Sequence, residues 1–255
     1  MKKLLLVLLF APLFAFANPI DDKCPQFVLR GAPISTNEKN TQYICKKNYA
    51  VHYRFDTRTA EYVVEHVTKE SISGTAKRAD DFRPDPEIAK EHQSVLSDYA
   101  GNPYDRGHLA PAGNNTLSAE IMSESFFLSN MVPQVPNNNR GIWKQLETYV
   151  RNWVLEGKDI YVISGTIYAP NYQTIGTNKV GIPTQLWKVV IDRQKGKAIG
   201  FLFPNTALPV ADLPKHVVTV QYLETLTGIN FMPQLPATLS AIEATVNLND
   251  WSGLK

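Results

Sequence analysis

An amphipathic segment at residues 139–155 constrains the fold of this chain more than any other feature. Its apolar side chains recur at the three- and four-residue spacing that places them on one stripe of an α-helix, and Gly157 follows as a helix terminator. The residues of the stripe are Ile142, Trp143, Leu146, Tyr149, Val150, Trp153 and Val154. The sequence therefore predicts a long helix that needs a large apolar surface to pack against.

Strand patterns supply that surface. Residues 49–55 alternate polar and apolar side chains, residues 62–67 are rich in β-branched residues, and the short link between them predicts a hairpin. Further strands are predicted at 126–131, 160–164, 186–191 and 198–203, short helices at 118–125 and 220–227, and irregular structure at 18–48. The mixture predicts an α+β fold, with antiparallel sheet elements flanking the long central helix.

The first seventeen residues have the pattern of a secretory signal peptide. A basic start is followed by an apolar run too short to span a bilayer, and small residues at Ala15 and Ala17 suit cleavage. An uncleaved anchor is the alternative. The sequence thus predicts a signal peptide at 1–17 and a single domain at 18–255. It also predicts an exported protein, periplasmic or secreted, with no membrane segment in its mature form.

Net charge gives no indication of a partner. Removal of Lys2 and Lys3 with the leader would reduce the 26 Lys and Arg residues to 24, which equals the 24 Asp and Glu residues. Bulk charge therefore does not indicate a nucleic-acid partner, and any anionic partner must be held by a local group of cations.

The chain has two cysteines, Cys24 and Cys45. In an exported protein an even pair near the N-terminus predicts one disulfide bond. Two free thiols are the alternative. A metal site is disfavoured because no Cys/His ligand cluster accompanies the pair.

His108 is a candidate general base because of its neighbours. Arg106 lies two residues earlier, so in an extended segment both side chains project to the same face. Gly107 removes the side chain between them, which lets backbone or substrate approach closely. A nearby guanidinium lowers the pKa of an imidazole and keeps it neutral. Taken alone, a structural histidine is the competing interpretation.

Asn139 and Glu147 belong to the predicted helix. Asn139, Trp143 and Glu147 are spaced four apart, so Asn139 lies near the apolar stripe at its N-terminal end and Glu147 lies on one edge. Asn139 is also a good helix N-cap, a role that Asn137 or Asn138 suits as well. Glu147 alone is typical of a solvated helix edge.

Taken together, these segments resemble the DNA/RNA non-specific endonucleases, a family with the ββα-metal active site. The matching residues are Asp105, Arg106, Gly107 and His108, then 128–134, then Asn139, Trp143, Leu146 and Glu147. Residues 76–84 are similar to the segment in which the family places a second active-site arginine. The resemblance covers roughly residues 62–231. It implies the ββα-metal nuclease fold.

The resemblance also implies a division of roles. His108 matches the general base that deprotonates a water for in-line attack on phosphorus. Asn139 matches the sole direct protein ligand of a Mg²⁺ ion, with Mn²⁺ as the alternative ion. Glu147 matches the residue that holds water on that ion.

The family's arginines and a buried asparagine complete the predicted site. Arg106 and Arg78 match the catalytic arginines that bind the phosphate, although Lys77 or Arg83 could be confused with Arg78. Asn130 matches a family asparagine near the metal shell and is predicted to bind substrate. Further cations available for a basic surface are Arg140, Lys144 and Arg151.

The resemblance implies an Mg²⁺-dependent endonuclease that cleaves DNA and RNA, single- or double-stranded, to 5′-phosphate and 3′-OH ends. A protein inhibitor and a second copy of the chain are the other expected partners. Three alternatives stay open: a catalytically silent nucleic-acid-binding member, a phosphodiesterase acting on small phosphate esters, and a toxin paired with an inhibitor.

Overall fold

The computed structural model describes residues 18–254. The predicted signal peptide at residues 1–17 lies outside the described residues. A seven-stranded antiparallel sheet organises the rest, in the order β12-β11-β10-β7-β4-β3-β2. Three two-stranded pairs, β1-β13, β5-β6 and β8-β9, lie outside it. The strands are β1 Ile34–Ser35, β2 Thr41–Cys45, β3 Ala50–Arg54, β4 Thr59–Val67, β5 Asp105–His108, β6 Met131–Gln134, β7 Ile160–Ile167, β8 Thr174–Ile175, β9 Val180–Gly181, β10 Gln185–Asp192, β11 Lys197–Pro204, β12 Val217–Val218 and β13 Ile229–Asn230.

The helices are short apart from one. The α-helices are α1 Pro19–Lys23, α2 Lys69–Ile72, α3 Ala119–Glu124, α4 Lys144–Leu155, α5 Val220–Thr227 and α6 Ala241–Ala244. Single 3₁₀ turns connect many of the elements, and a π-helical segment, Asn138–Trp143, precedes α4. Helix α4 has 12 residues and is the central helix of the fold.

Both faces of the large sheet are buried. On one face Val162 and Val190 belong to the apolar core that contains Leu146 and Val150 of α4. On the other face Trp187 packs with segments from the two ends of the described chain. Alternate residues of the central strands therefore serve two separate cores, as the period of two requires. The α+β prediction with antiparallel sheets is confirmed.

The long helix differs from its prediction at the N-terminal end. Helix α4 begins at Lys144, and Asn139 lies before it in the π-helical segment. Gly141, at φ −104° and ψ −107°, breaks the helical path between them. The apolar stripe continues through this break, because Ile142 and Trp143 are fully buried although they lie before the regular helix. The pattern therefore could not show where the regular helix starts.

Two other elements differ from the sequence prediction. Residues 126–131 were predicted as a strand, but a 3₁₀ turn at Leu128–Asn130 precedes β6. Strand β2 lies in the region predicted to be irregular, paired with β3. The β3–β4 hairpin, the strands β7, β10 and β11, and helices α3 and α5 are as predicted.

A disulfide bond joins Cys24 and Cys45, as predicted. It ties the end of α1 to the last residue of β2. No helix in residues 18–254 has the length and apolar character needed to cross a membrane.

Candidate active site

The predicted catalytic motif forms strand β5. It pairs with β6 so that His108 lies opposite Met131 and Gly107 opposite Val132. A Cβ atom at position 107 would lie 2.1 Å from Oε1 of Gln134. The close approach that Gly107 permits is therefore made by the buried Gln134 side chain of the partner strand. Glycine is required here for packing within the strand pair.

The imidazole of His108 lies in an aromatic pocket. Its ring meets Phe126 and Phe82 edge-on, with centroids 5.0 and 5.8 Å away. The indole nitrogen of Trp143 donates a hydrogen bond of 3.1 Å to the carbonyl oxygen of His108, which joins β5 to the start of α4. The side chain is held by packing, and its Nε2 atom has no hydrogen-bond partner among the described residues.

The pKa of His108 is strongly lowered, to about 3. Burial is the main cause, and the positive charges of Arg78 and Arg106 add to it. The imidazole is thus neutral at physiological pH. The lowering that the sequence predicts from Arg106 is present, although burial contributes more than charge.

Two guanidinium groups share the aromatic pocket with His108. The Arg106 guanidinium lies 4.2 Å from the ring centroid of Phe82, and that of Arg78 lies 4.8 Å from Phe126. Arg78 is held at its Nε by Asp80, at 2.7 Å, and its side chain is 54% exposed. Both cations therefore flank the imidazole, and the exposed part of the Arg78 guanidinium presents donors to solvent.

The structure separates Arg78 from the residues that could be confused with it. Arg83 lies over a different ring, that of Phe127, and bonds to Asp81 and to the carbonyl oxygen of Ser123. Lys77 makes no hydrogen bond or ion pair among the described residues. Arg78 is the cation of this segment whose charge acts on His108.

A hydrogen bond to Asp105, the first residue of β5, connects Asn139 to the strand that carries His108. Its Nδ2 donates to Oδ2 of Asp105 at 2.9 Å, and Arg140 binds the same carboxylate. Burial acts to raise the pKa of Asp105, but hydrogen bonds from Arg140 and Asn139 outweigh it and hold that pKa below its ordinary value. The amide of Asn139 is therefore fixed by its nitrogen.

This arrangement suits a hard cation. The nitrogen of the Asn139 amide is occupied, and no hydrogen bond to its Oδ1 is found within residues 18–254. An amide oxygen is the kind of ligand that Mg²⁺ and Mn²⁺ accept. The described residues contain no group of three or more His, Cys, Asp or Glu side chains placed to hold a metal. The donor set fits an ion held by one amide oxygen and water.

Glu147 lies one turn after Trp143 on α4. Burial raises its pKa, while the charges of Lys188, Arg151 and Arg78 act in the opposite direction. Arg78 thus acts electrostatically on both His108 and Glu147. The contacts link β5, the 76–84 segment, the π-helical segment and α4, because Arg78 acts on both His108 and Glu147, Trp143 binds the His108 carbonyl oxygen and Asn139 binds Asp105. These elements carry the predicted site residues His108, Arg106, Arg78, Asn139 and Glu147.

The predicted substrate-binding role of Asn130 does not fit its surroundings. The side chain is fully buried, at 0% exposure. Its Oδ1 accepts from the Ala110 amide, and its Nδ2 donates to the carbonyl oxygens of Ala110 and Ser125. Asn130 therefore fixes the backbone at Ala110, two residues after His108. Because the motif gives a residue type and not its exposure, the sequence could not make this distinction.

Sequence reasoning missed three residues of the site. Asp105 belongs to the recognised motif and is adjacent to Arg106, but the sequence analysis assigns it no role. Phe82 and Phe126 received no role either, because nothing in the local pattern shows that two phenylalanines 44 positions apart contact each other. Their rings position the imidazole and both guanidinium groups.

Comparison with known proteins decides the family. The family model described as DNA/RNA non-specific endonuclease matches residues 31–238. The chain belongs to this family. It is 38% identical over 222 residues to the mitochondrial nuclease EXOG of Xenopus laevis, covering 80% of this chain and 61% of that protein. It is 33% identical over 214 residues to the mitochondrial endonuclease G of Homo sapiens, covering 78% of this chain and 72% of that one.

A solved structure of an EndoG/EndoGI complex has the same fold. It superposes with a TM-score of 0.74 at 28% identity, covering 87% of this chain and 94% of that chain. The predicted ββα-metal nuclease fold is thereby confirmed, with β5, β6 and α4 as its two strands and helix. The chain spans less than two thirds of the EXOG relative's length.

The prediction of export to the periplasm or the medium is wrong. The similar nucleases from Xenopus laevis and Homo sapiens are named as mitochondrial proteins. The prediction relied on residues 1–17, which lie outside the described residues. The disulfide bond does not depend on that reasoning, because it is observed directly.

Proposed function

We propose that the protein is an endonuclease that hydrolyses phosphodiester bonds of DNA and RNA, in single or double strands, and leaves 5′-phosphate and 3′-OH ends. One observation carries the proposal. A neutral imidazole and two guanidinium groups share one aromatic pocket, and the same strand binds an amide whose oxygen has no hydrogen bond among the described residues. These are the groups needed to remove a proton from water, bind a phosphate and hold a hard cation.

His108 is the general base in this proposal. Its imidazole is neutral because burial and two cations lower its pKa to about 3. A neutral ring accepts the proton of a water that attacks phosphorus in line with the leaving 3′ oxygen. Arg106 and Arg78 flank the ring and bind the non-bridging phosphate oxygens, which holds the phosphorus in reach.

Asn139 would hold the divalent ion, Mg²⁺ with Mn²⁺ as the alternative, and Glu147 would orient its water of hydration. The ion supplies positive charge that stabilises the leaving oxygen and the pentacoordinate phosphorus. Asp105 keeps the Asn139 amide nitrogen engaged, so that the amide oxygen would be the atom left to hold a cation. This is the orienting role that hydrogen-bonded neighbours have in metal sites.

The same set of contacts accounts for low selectivity. The groups assigned to the substrate bind phosphate, water or the metal, and none of them is assigned to a base edge. The 2′-OH is neither the nucleophile nor excluded by these contacts. We therefore expect DNA and RNA to be cleaved without strong preference for sequence.

The test is a cleavage assay on plasmid DNA and on RNA. Cleavage should stop with excess EDTA and return when Mg²⁺ or Mn²⁺ is restored. Product ends should be 5′-phosphate, and therefore directly ligatable. Cleavage that continues in EDTA contradicts the metal role, and turnover of small phosphate diesters without polymer cleavage contradicts the substrate.

Variants separate the base from the fold. His108→Ala should lower cleavage by about 10²- to 10⁴-fold, the usual contribution of a general base, while binding of uncleaved DNA persists. The matched control is His92→Ala, because the His92 ring stacks on Phe55 away from the cleft. Equal activity of His108→Ala and His92→Ala contradicts the assignment.

The proposal includes a protein inhibitor as a partner. It is supported by the similarity to the EndoG/EndoGI complex, in which EndoG is inhibited. An inhibitor that binds the cleft should protect Arg78 and Arg106 from chemical modification of guanidinium groups. A homodimer stays a prediction, to be checked by light scattering of the purified protein.

A further inference from the structure

An open groove lies beside the π-helical segment that precedes α4. One wall is formed by Arg140 and Gly141 of that segment and by Asn137 just before it, and the other wall by residues 207–210 of the loop after β11. The volume of the groove is about 510 Å³, within the range of small-ligand sites. The chemistry proposed above uses none of these residues.

The loop wall of the groove is apolar and largely exposed. It consists of Ala207, Leu208, Pro209 and Val210. Leu208 is half-buried against the core that contains α4, whereas the other three are exposed, and Val210 is 44% exposed. A run of exposed apolar residues is unfavourable in water unless a partner covers it. This wall therefore indicates a surface that a ligand covers.

The floor of the groove lies between Gly141 and Val210. A Cβ atom at position 141 would lie 3.8 Å from Cγ2 of Val210, so this methyl group faces the glycine across the groove. The backbone leaves the helical path at Gly141, which separates the wall formed by Asn137 and Arg140 from the regular turns of α4. The groove is therefore open because the glycine adds no side chain to it.

Two buried asparagines fix the loop wall to the strand pair of the active site. Nδ2 of Asn138 donates to the carbonyl oxygens of Pro204 and Thr206, at 2.9 and 3.0 Å. Oδ1 of Asn205 accepts from the backbone amide of Val135, the residue after β6, at 2.9 Å. The loop is thus already ordered before a ligand arrives, which favours binding.

The groove adjoins the proposed metal ligand. Oδ2 of Asp105 accepts from Nε of Arg140 at 2.8 Å and from Nδ2 of Asn139 at 2.9 Å. One carboxylate oxygen therefore joins the cation of the groove to the amide that would hold the divalent ion. The Arg140 side chain is 72% exposed despite this pair, so part of its guanidinium is open to a ligand.

The polar groups of the groove suit a nucleic acid. Among the described residues that line it, Arg140 is the one charged side chain, and none is a carboxylate. Asn137 is exposed and adds an amide with both a donor and an acceptor. A cation, an amide and an aliphatic surface match the phosphate, the sugar and the base of a nucleotide.

We propose that the groove binds the sugar and base of the nucleotide next to the cleaved phosphate, with the face of the base against Pro209 and Val210. The inference rests on the proposed function, because that function places the phosphate beside Asn139. Every base has a flat face, so the contact adds affinity without a sequence preference. A base must leave its stack to enter the groove, so single strands should bind more tightly than duplexes.

One missing base in a short DNA strand tests the contact. The substrate is a single strand of thymidine nucleotides with one abasic nucleotide at its centre, cleaved with Mg²⁺ at a concentration below KM and mapped on a sequencing gel. The parent protein should cut a phosphate that adjoins the abasic nucleotide about 3- to 10-fold more slowly than the same phosphate in the complete strand, because the apolar contact is lost.

Val210→Ser removes methyl groups from the apolar wall without adding a charge. KM for the complete strand should rise by about 3- to 10-fold at unchanged kcat, since the contact holds substrate and transition state alike. This variant should cut the abasic and complete strands at equal rates, because both lack the contact. The matched control is Leu239→Ser, an exposed apolar residue beside Met232 in the core of the opposite sheet face. It should keep the parent KM and the parent difference between the strands.

The outcomes separate this inference from the proposed function. If the parent protein cleaves no nucleic acid, the proposed function fails and this inference fails with it. If the parent protein cleaves but cuts both strands alike, only the groove inference fails. A Val210→Ser protein that keeps the parent KM also overturns it and leaves the apolar wall to a protein partner. A lower kcat at unchanged KM overturns it as well, because Val210 would then act on the chemical step.

Discussion

The imidazole of His108 is neutral in a setting that penalises its protonation, and this has a cost in stability. Its pKa is about 3 in the folded protein, against an ordinary value of 6.5. The unfolded chain therefore binds a proton at this residue between those values and the folded protein does not. By linkage, the folded state loses stability as pH falls through this range.

This loss can be measured. Between about pH 7 and about pH 4.5 the contribution of His108 amounts to about 2 to 3 kcal/mol. We expect His108→Gln to lose correspondingly less unfolding free energy over this interval than the parent protein. Urea denaturation at both pH values provides the comparison. Parallel losses in the two proteins would show that the folded-state pKa is not depressed.

Arg78 and Arg83 form a natural pair for comparison, because both lie over phenylalanine rings but only Arg78 acts on His108. Arg78→Ala should lower kcat/KM by about 10- to 100-fold, the equivalent of one charged hydrogen bond to phosphate. Arg83→Ala should leave the rate within a few-fold and lower the melting temperature instead, since it loses bonds to Asp81 and Ser123. Plasmid cleavage rates and thermal melts give the two readouts. The reverse order of effects would move the phosphate contact to Arg83.

At the scale of elements, the Asp105 carboxylate of β5 binds two neighbouring residues of the π-helical segment before α4. Asp105→Ala removes the acceptor of Asn139 and Arg140 together. We expect Mn²⁺ affinity to fall by about 10- to 100-fold, the usual effect of losing an orienting hydrogen bond at a metal ligand. Arg140→Ala is the matched control, since it removes the exposed ion pair and leaves the Asp105–Asn139 bond. Calorimetric titration should show little change in that control, and equal losses in both variants would mean that the ion pair, not the amide bond, orients Asn139.

The elements also show how far the sequence leads. The period of two identified β7, β10 and β11, and the stripe identified α4, because burial on a defined face leaves a local pattern. The sequence did not show where α4 starts. Ile142 and Trp143 precede the helix but are buried like its own apolar residues, so the break at Gly141 leaves the apolar period intact. The 3₁₀ turn before β6 was not predicted either. The backbone N–H and C=O groups of Ala110 bond to the Asn130 side chain and not to a strand partner.

The residues of the site also divide into those that a local pattern shows and those that depend on contacts between distant segments. His108, Arg106, Asn139 and Glu147 stood in recognisable spacing, and the structure brings them together. Only the structure distinguishes Arg78 from Arg83, because Arg78 lies over the ring of Phe126 and Arg83 over that of Phe127. Lys188 had a visible signature, since it stands between Leu186 and Val190 on an otherwise apolar strand face. Its contacts could not be predicted from that pattern, because they are made with Ser164 of β7 and with Trp143 before α4.

At the scale of the whole molecule, the sheet separates chemistry from support. The cleft residues and α4 lie on one face, while the Cys24–Cys45 bond belongs to the core of the other face. Changes to that bond should therefore affect the unfolding equilibrium without reaching the cleft. The residues that position His108 contact neither cysteine.

The disulfide closes a loop of 21 residues, and a loop of this size stabilises a fold by about 3 kcal/mol through the entropy of the unfolded chain. We expect the Cys24→Ser, Cys45→Ser double variant to lose about this much unfolding free energy, measured by denaturant titration, and to cleave plasmid at the parent rate well below its melting temperature. Parent protein treated with reductant should reproduce the loss, whereas the double variant should not respond to reductant. A variant that remains folded but cleaves slowly would show that the disulfide does affect the active site.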